Sequence, residues 1–229
     1  MKETLNCALK LVAVSALLAA VSSASAQSAG QFTLKAGLNQ ITPKIESGNL
    51  SAPALPGTKA DVGPDTEPVF VIGYGITDNI SLELDLGLPY KHPLFGAGAI
   101  AGTGQLGTAE VLPPTLFVQY RFFNPDAPIR PYLGAGITYA YFRDATGSGQ
   151  LTALINTGGP ATTFEIKNKV AATFQAGVVL ALNKRWYLDL AVAKTYLKTT
   201  VTFSTNQTQK IKFDPVAVGL GVGYRLDLF

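Results

Sequence analysis

Apolar and polar residues alternate along this chain with a period of two. Between positions 80 and 90, Leu82, Leu84, Leu86 and Leu88 share one face, and Ser81, Glu83, Asp85 and Gly87 share the other. Between 31 and 41, Phe32, Leu34, Ala36 and Leu38 oppose Thr33, Lys35, Gly37 and Asn39. A period of two is the signature of a strand with two different faces. It predicts eight strands, at 31–41, 67–76, 80–90, 112–123, 130–143, 165–182, 185–198 and 210–228. Each is near or above the ~9–11 residues that a tilted strand needs to cross a bilayer. The connections alternate in length. Long loops are expected at 42–66, 91–111 and 144–164 and a medium one at 199–209, with tight turns at 77–79, 124–129 and 183–184. Long–short alternation with both termini on the short side is the outer-membrane pattern, which puts the long loops outside the cell.

Two phases within the alternation support a closed barrel. Gly37, Gly73, Gly75, Gly87, Gly134, Gly136, Gly177, Gly219, Gly221 and Gly223 all fall on the face opposite the large aliphatics. An eight-stranded barrel has just enough interior for side chains to fill, so small inward residues relieve crowding. On the other face, Phe32, Tyr74, Tyr120, Phe122, Trp186 and Tyr224 fall near the turn ends, and Tyr139 and Tyr141 near the loop ends. These are two aromatic girdles at headgroup level. Between them Leu84, Leu86, Val118, Leu190, Val218 and Leu220 are expected to face lipid. A soluble barrel of lipocalin type would show the glycine-rich face to water, and ten glycines with few charges make a poor soluble exterior. The expected fold is all-β: an eight-stranded antiparallel up-and-down transmembrane β-barrel.

Composition agrees. Of 229 residues, 47% are hydrophobic and only 14% charged, the mean hydropathy is +0.23 and the net charge +3. That excludes a disordered chain and a basic nucleic-acid binder. Residues 1–26 read as a signal peptide, with Lys2 and Lys10 before an apolar stretch at 11–21 and a small-x-small site at Ala24-Ser25-Ala26. The single cysteine, Cys7, lies in that segment, so the barrel domain, 27–229, is expected to carry neither disulfide nor thiolate metal site. No stretch approaches the ~20 apolar residues of a membrane-spanning helix.

The residues offer little chemistry. His92 is the only histidine, which excludes a His-rich metal site, and no G-x-S-x-G elbow accompanies it. A loop histidine that orders the outer mouth is the simpler reading. Gly219-x-Gly221-x-Gly223 and Gly73-x-Gly75 lie inside strands with no following helix, unlike nucleotide loops. Asp78-Asn79 is a turn, and Asp214 a strand-end acid. No catalytic residue, metal or cofactor is expected.

Leu112-Pro113-Pro114-Thr115 followed by Gln119-Tyr120-Arg121-Phe122, the run Pro131-Tyr132-Leu133-Gly134-Ala135-Gly136, Trp186-Tyr187-Leu188-Asp189 leading to Lys194, and Asp214-Pro215 with Gly219, Gly221, Gly223, Tyr224 and Arg225 occur in this order. With Lys91-His92 after the third strand, the set resembles the OmpW family of small outer-membrane β-barrels over essentially the whole mature chain. The resemblance implies a monomeric, porin-like barrel of a Gram-negative cell outer membrane, with a narrow hydrophobic channel for small apolar molecules. Family members often end at Tyr-Arg-Phe. Here Leu226 takes the outward position and Phe229 falls out of phase. A C-terminal strand ending in Phe is what the outer-membrane assembly machinery is expected to read.

Sorted by height, the inward residues divide. Lys35, Glu83, Arg121, Asp189 and Arg225 fall in the turn-side half and predict a charged floor. Val69, Val71, Thr115, Thr138, Ala140 and Thr173, with Ala171, Ala193 and Ala217, line a small, apolar upper half. Buried opposite charges are costly unless paired, so the floor should be closed. Proline donates nothing to a ladder, and Pro68, Pro113, Pro114 and Pro215 sit at the loop ends of their strands. These positions predict a lateral gap, lined by loop residues such as Leu94 and Phe95. The reading is passive uptake of small hydrophobic molecules with lateral release into the membrane, its partners being outer-membrane lipid and an apolar solute, with no nucleic acid. The alternatives are a structural or adhesion barrel whose outer loops bind a partner and, more remotely, a lipid-modifying enzyme using His92.

Overall fold

The computed structural model describes residues 28–226; the segment predicted to be a signal peptide, with Cys7, and Phe229 lie outside the described residues. In chain order the elements are β1 (Phe32–Thr42), β2 (Glu46–Ser47), β3 (Thr58–Val62), β4 (Asp65–Gly75), β5 (Ile80–Gly87), β6 (Tyr90–Gly98), β7 (Gln105–Leu112), β8 (Thr115–Arg121) and β9 (Ile129–Gly147). A short helix α1 (Gly149–Ile155) follows, then β10 (Phe164–Ile166), β11 (Lys169–Ala181), β12 (Trp186–Tyr196), β13 (Lys198–Phe203), β14 (Thr208–Lys212) and β15 (Val216–Leu226). No described helix is long and apolar enough to cross a membrane.

Eight of these strands close on themselves. The antiparallel order β1-β4-β5-β8-β9-β11-β12-β15 returns to β1, and β9 pairs with β11 from Ile129↔Leu180 to Ala140↔Lys169. Closure leaves no edge, so every backbone group at membrane depth can find a partner. Leu220 is 60% exposed and Ile137 64%, as are Leu84, Leu86, Val118, Leu190 and Val218 to lesser degrees, all outward on the wall. Such a band is tolerable only against lipid. Aromatic pairs border it. Phe32–Tyr74, Tyr120–Phe122 and Trp186–Tyr224 mark the turn end, at 4.7, 5.2 and 4.8 Å between ring centroids. Tyr139–Tyr141 and Phe174–Tyr196 mark the loop end.

The inward glycines make room for tyrosines. A Cβ on Gly177 would stand 2.4 Å from Tyr132 Cζ, and one on Gly223 2.0 Å from Tyr187 Cζ. Each ring therefore lies flat over the neighbouring strand and fills the lumen near the turn end.

The connections at the loop end are built structure, not the plain loops that their glycine and proline content predicts. β9 continues past the barrel and pairs with β7, which carries β6 and then β3. Opposite, β10-β13-β14-β2 forms a second sheet. The strand predicted over 165–182 divides into β10 and β11. That over 210–228 divides into β14 and β15 at Asp214 (φ +33°) and Pro215. Asp214 stabilises the break: its carboxylate accepts from Leu197 N at 3.0 Å and its carbonyl accepts from the Lys194 ammonium. Between the two sheets lies an apolar core that includes Val62, Ile100, Leu106, Leu151, Phe164, Val201, Ile211 and Phe213. Ser148 caps α1, accepting from Leu151 N at 3.2 Å, and sets Leu151 into this core.

Candidate functional site

The lumen divides by height. Near the turn end, four strands contribute charges that meet at one level. Lys35 Nζ lies 3.3 Å from both Glu83 Oε2 and Asp189 Oδ1, and Arg121 Nη2 donates to Glu83 Oε1 at 2.6 Å. Gln119 Nε2 donates to Glu83 Oε2 at 3.0 Å and to Gln175 Oε1 at 2.9 Å. Tyr132 Oη donates to Asp189 Oδ1 at 3.1 Å, and the Arg121 guanidinium lies 5.2 Å from the centre of the Tyr132 ring. Gln119 is 0% exposed and Glu83 1%. Buried ions survive only when their partners satisfy them, and these hold one another across the barrel. Arg225 is buried at the turn end of the lumen, as its inward phase predicts. It donates to the carbonyls of Asn183 and Lys184 at 3.0 and 3.2 Å and lies over the Tyr187 ring, tying down the last tight turn.

Above this floor opens a cavity of ≈ 140 Å³. Val69, Val71, Thr115, Thr138, Ala140 and Thr173 line it, as the alternation predicts, with Phe117, Ala193 and Ala217. Ala171 lies in the loop-side core instead. Four threonine hydroxyls run round half the wall: Thr195 to Thr173 at 2.9 Å, Thr173 to Thr138, Thr138 to Thr115 at 2.8 Å, and Thr115 to the Pro113 carbonyl at 3.1 Å. A carbonyl only accepts, which fixes the direction of the chain. Its hydroxyls satisfy one another, so a polar residue type lines an apolar chamber at little cost.

The cavity closes upward on Phe213, which packs 5.8 Å from Phe142, and on Tyr90 and His92. Tyr90 accepts from Asn39 at 3.0 Å. His92 stacks on Tyr90 and its Nδ1 donates to the Gly63 carbonyl at 2.8 Å; burial pushes its imidazole below the usual range, against the smaller pulls of that hydrogen bond and of Asp65. Beyond Phe213 lies a second cavity of ≈ 50 Å³ between the two loop-side sheets. Leu94 and Phe95 line this outer cavity and not the barrel wall, because β3 and β7 hold β6 within the loop-side sheet. Phe213 lines both cavities.

The four prolines do not mark one gap. The Pro68 carbonyl accepts from Leu88 N and that of Pro215 from Thr195 N, each at 3.1 Å, and the Pro114 carbonyl accepts from Tyr139 N of β9 at 3.0 Å. Successive residues of a strand turn their backbone groups to opposite sides, so Pro113 faces β5. It has no N–H to give, and Thr115 takes its carbonyl. The β5–β8 ladder accordingly stops at Asp85↔Thr115, while the cavity lining continues through Leu86, Gly87 and Pro113. Of the residues that line the chamber, Thr195 was readable from its inward phase. Phe142 and Phe213 were not, since each belongs to the loop-side layer.

The model of the OmpW family matches residues 28–226. Outer membrane protein W of Vibrio cholerae is 30% identical over 218 residues, covering 92% of this chain and 96% of that one. The crystal structure of the outer membrane protein OprG from Pseudomonas aeruginosa superposes with a TM-score of 0.79 at 24% identity, covering 89% of this chain and 99% of that one. The solid-state NMR structure of outer membrane protein AlkL in DMPC lipid bilayers gives 0.65 at 25% identity, covering 90% and 95%. With the lipid-facing band, the aromatic girdles and the closed eight-stranded wall described above, these matches show that this chain is an outer-membrane β-barrel and belongs to the OmpW family.

Proposed function

We propose that this barrel takes up small hydrophobic molecules passively, from the cell exterior at the loop end, and releases them sideways into the membrane. The observation that carries the reading is the seam between β5 and β8, where the ladder ends one layer below a wall that still bounds the cavity. A solute would pass from the outer cavity, past Phe213 and Phe142, into the chamber. The paired charges below are no place for it, because leaving them for water or burying them against hydrocarbon is unfavourable. An apolar molecule gains roughly 25 cal/mol per Å² on leaving water, so the hydrocarbon beside the seam is its favoured destination. The process needs no bond-making step, and we assign no catalytic role to His92, whose donor serves the Gly63 carbonyl.

A removable staple tests the exit. Continuing the β5–β8 register by one residue sets Leu86 opposite Pro114. With Leu86→Cys and Pro114→Cys in the barrel domain, which has no other cysteine, oxidation should stop the transfer of a small alkane into lipid vesicles, and a reducing agent should restore it. Transfer that ignores the staple would place the exit elsewhere.

A further inference from the structure

The floor holds three carboxyl groups, Glu83, Asp85 and Asp189, against two cations, Lys35 and Arg121. Both cations are committed. Lys35 bridges Glu83 and Asp189, and Arg121 is bound to Glu83. Asp85 is the acid left over. Its side chain lines the chamber one layer above Glu83, opposite Val71 and Thr115, and its Oδ1 is buried without a hydrogen-bond partner. The nearest hydroxyl in register, Thr115 Oγ1, gives its proton to Pro113 and cannot serve it. A buried acceptor with no donor is unfavourable by itself and marks a place where a donor can be bound. Above Asp85 the wall is mostly methyl, methylene or ring, from Val69, Ala193, Ala217 and the threonine methyls, and the polar groups at its top are already paired, Asn39 with Tyr90 and His92 with the Gly63 carbonyl.

We infer that the chamber is a binding site for a small amphiphile with a primary ammonium head and a short apolar tail, the head on the Asp85 carboxylate and the tail in the upper chamber. This names a substrate class for the uptake route proposed above and rests on that route for access. The ammonium supplies the third cation that the floor lacks and a donor for Oδ1. A carboxylate head is refused, because it would meet Asp85 and Asp189 with Lys35 already engaged. An alcohol of the same length keeps the tail contacts and a donor, without the charge. Hydrogen bonds between ions are the stronger ones, which separates amine from alcohol by ~10-fold in affinity.

The test measures binding of hexylammonium, hexanol and hexanoate to the full barrel in nanodiscs of zwitterionic lipid, with empty nanodiscs as the partition blank. Hexylammonium should bind ~10-fold tighter than hexanol, and hexanoate should not bind. Asp85→Asn should bring hexylammonium down to the level of hexanol and leave hexanol unchanged. Glu165→Gln, at an exposed position of the loop-side sheet, should alter neither. Heat-modifiable migration on gels checks that the variants fold. Independently of any variant, hexylammonium should shift the carboxyl ¹³C resonance of Asp85 in the native chain. Equal hexylammonium affinity in the native and Asp85→Asn barrels, a silent Asp85 resonance, or binding of hexanoate would overturn the inference. Hexanol binding with Asp85-independent hexylammonium binding removes this inference and keeps the apolar chamber. Asp85-dependent hexylammonium binding without any hexanol binding would keep the head on Asp85 and overturn the tail's place in the chamber.

Discussion

The two halves of the lumen are made by the same eight strands with the same alternation, yet one is sealed and the other hollow. In the lower half the inward positions carry long polar side chains, and each meets a partner from another strand: Lys35 from β1 with Glu83 from β5 and Asp189 from β12, Tyr132 from β9 with Asp189. Two glycines, Gly177 and Gly223, give up their volume so that tyrosine rings complete the fill. In the upper half the inward positions carry valine, alanine and threonine, whose side chains cannot span the barrel, and space remains. Whether the lumen is filled or open is decided by side-chain length at each height and not by strand number, since strand number is the same throughout.

Removing a floor cation should disturb that contrast most. Lys35→Met keeps the volume but leaves Glu83 and Asp189 with one cation between them, and breaking a buried pair costs roughly 3–5 kcal/mol. Urea unfolding in lipid vesicles should show the loss, with ion leakage raised and alkane transfer little changed. If the alkane instead crosses much faster, the floor is a gate on a straight pore and the two halves form one channel. Next in size is the wall itself. Leu220 belongs to the chamber lining through its backbone while its side chain faces outward. Leu220→Arg should cost roughly 2–4 kcal/mol at mid-bilayer depth, and Phe122→Arg, at the girdle, only ~0–1. Similar losses at both heights would mean that the chamber wall does not face lipid.

The smallest effect concerns the roof. His92 is held below its ordinary value, 6.5, chiefly by burial. Above that value both folded and unfolded chains carry it neutral. As pH falls below it, the unfolded chain takes up a proton that the folded chain refuses, so the layer over the chamber loses stability down to the folded value. Amide protection factors in β6 should therefore fall between pH 7 and 5 more than those in β12, and His92→Asn should flatten the difference. Equal acid sensitivity in that variant would assign the effect to another group.

The barrel was legible because a strand that faces lipid on one side and a packed lumen on the other must alternate at every step, as 80–90 and 31–41 do. The pairing of Lys35 with Glu83 and Asp189 was legible as a level and a sign, not as contacts. Arg225 shows the limit: its phase is inward, but only the folded turn at 183–184 shows that it bonds the Asn183 and Lys184 carbonyls. The loop-side layer was not legible. Glycine and proline mark its connections, its strands are short, and β14 finds β2 some 160 residues away in the chain. Nothing local can signal such a pairing.

What the sequence by itself determined is therefore the wall: its period, its lipid face, its girdles and the charge of its floor, all written in residues at spacings of two. What only the tertiary structure decided is where the wall stops being paired and what stands over the chamber. The end of the β5–β8 ladder depends on which side Pro113 presents and on Thr115 having taken its carbonyl. The position of Phe213 between two cavities depends on a break at Asp214 that Lys194 of β12 and Leu197 just after it hold. Each is a choice among hydrogen-bond partners that the alternation of residue types does not encode.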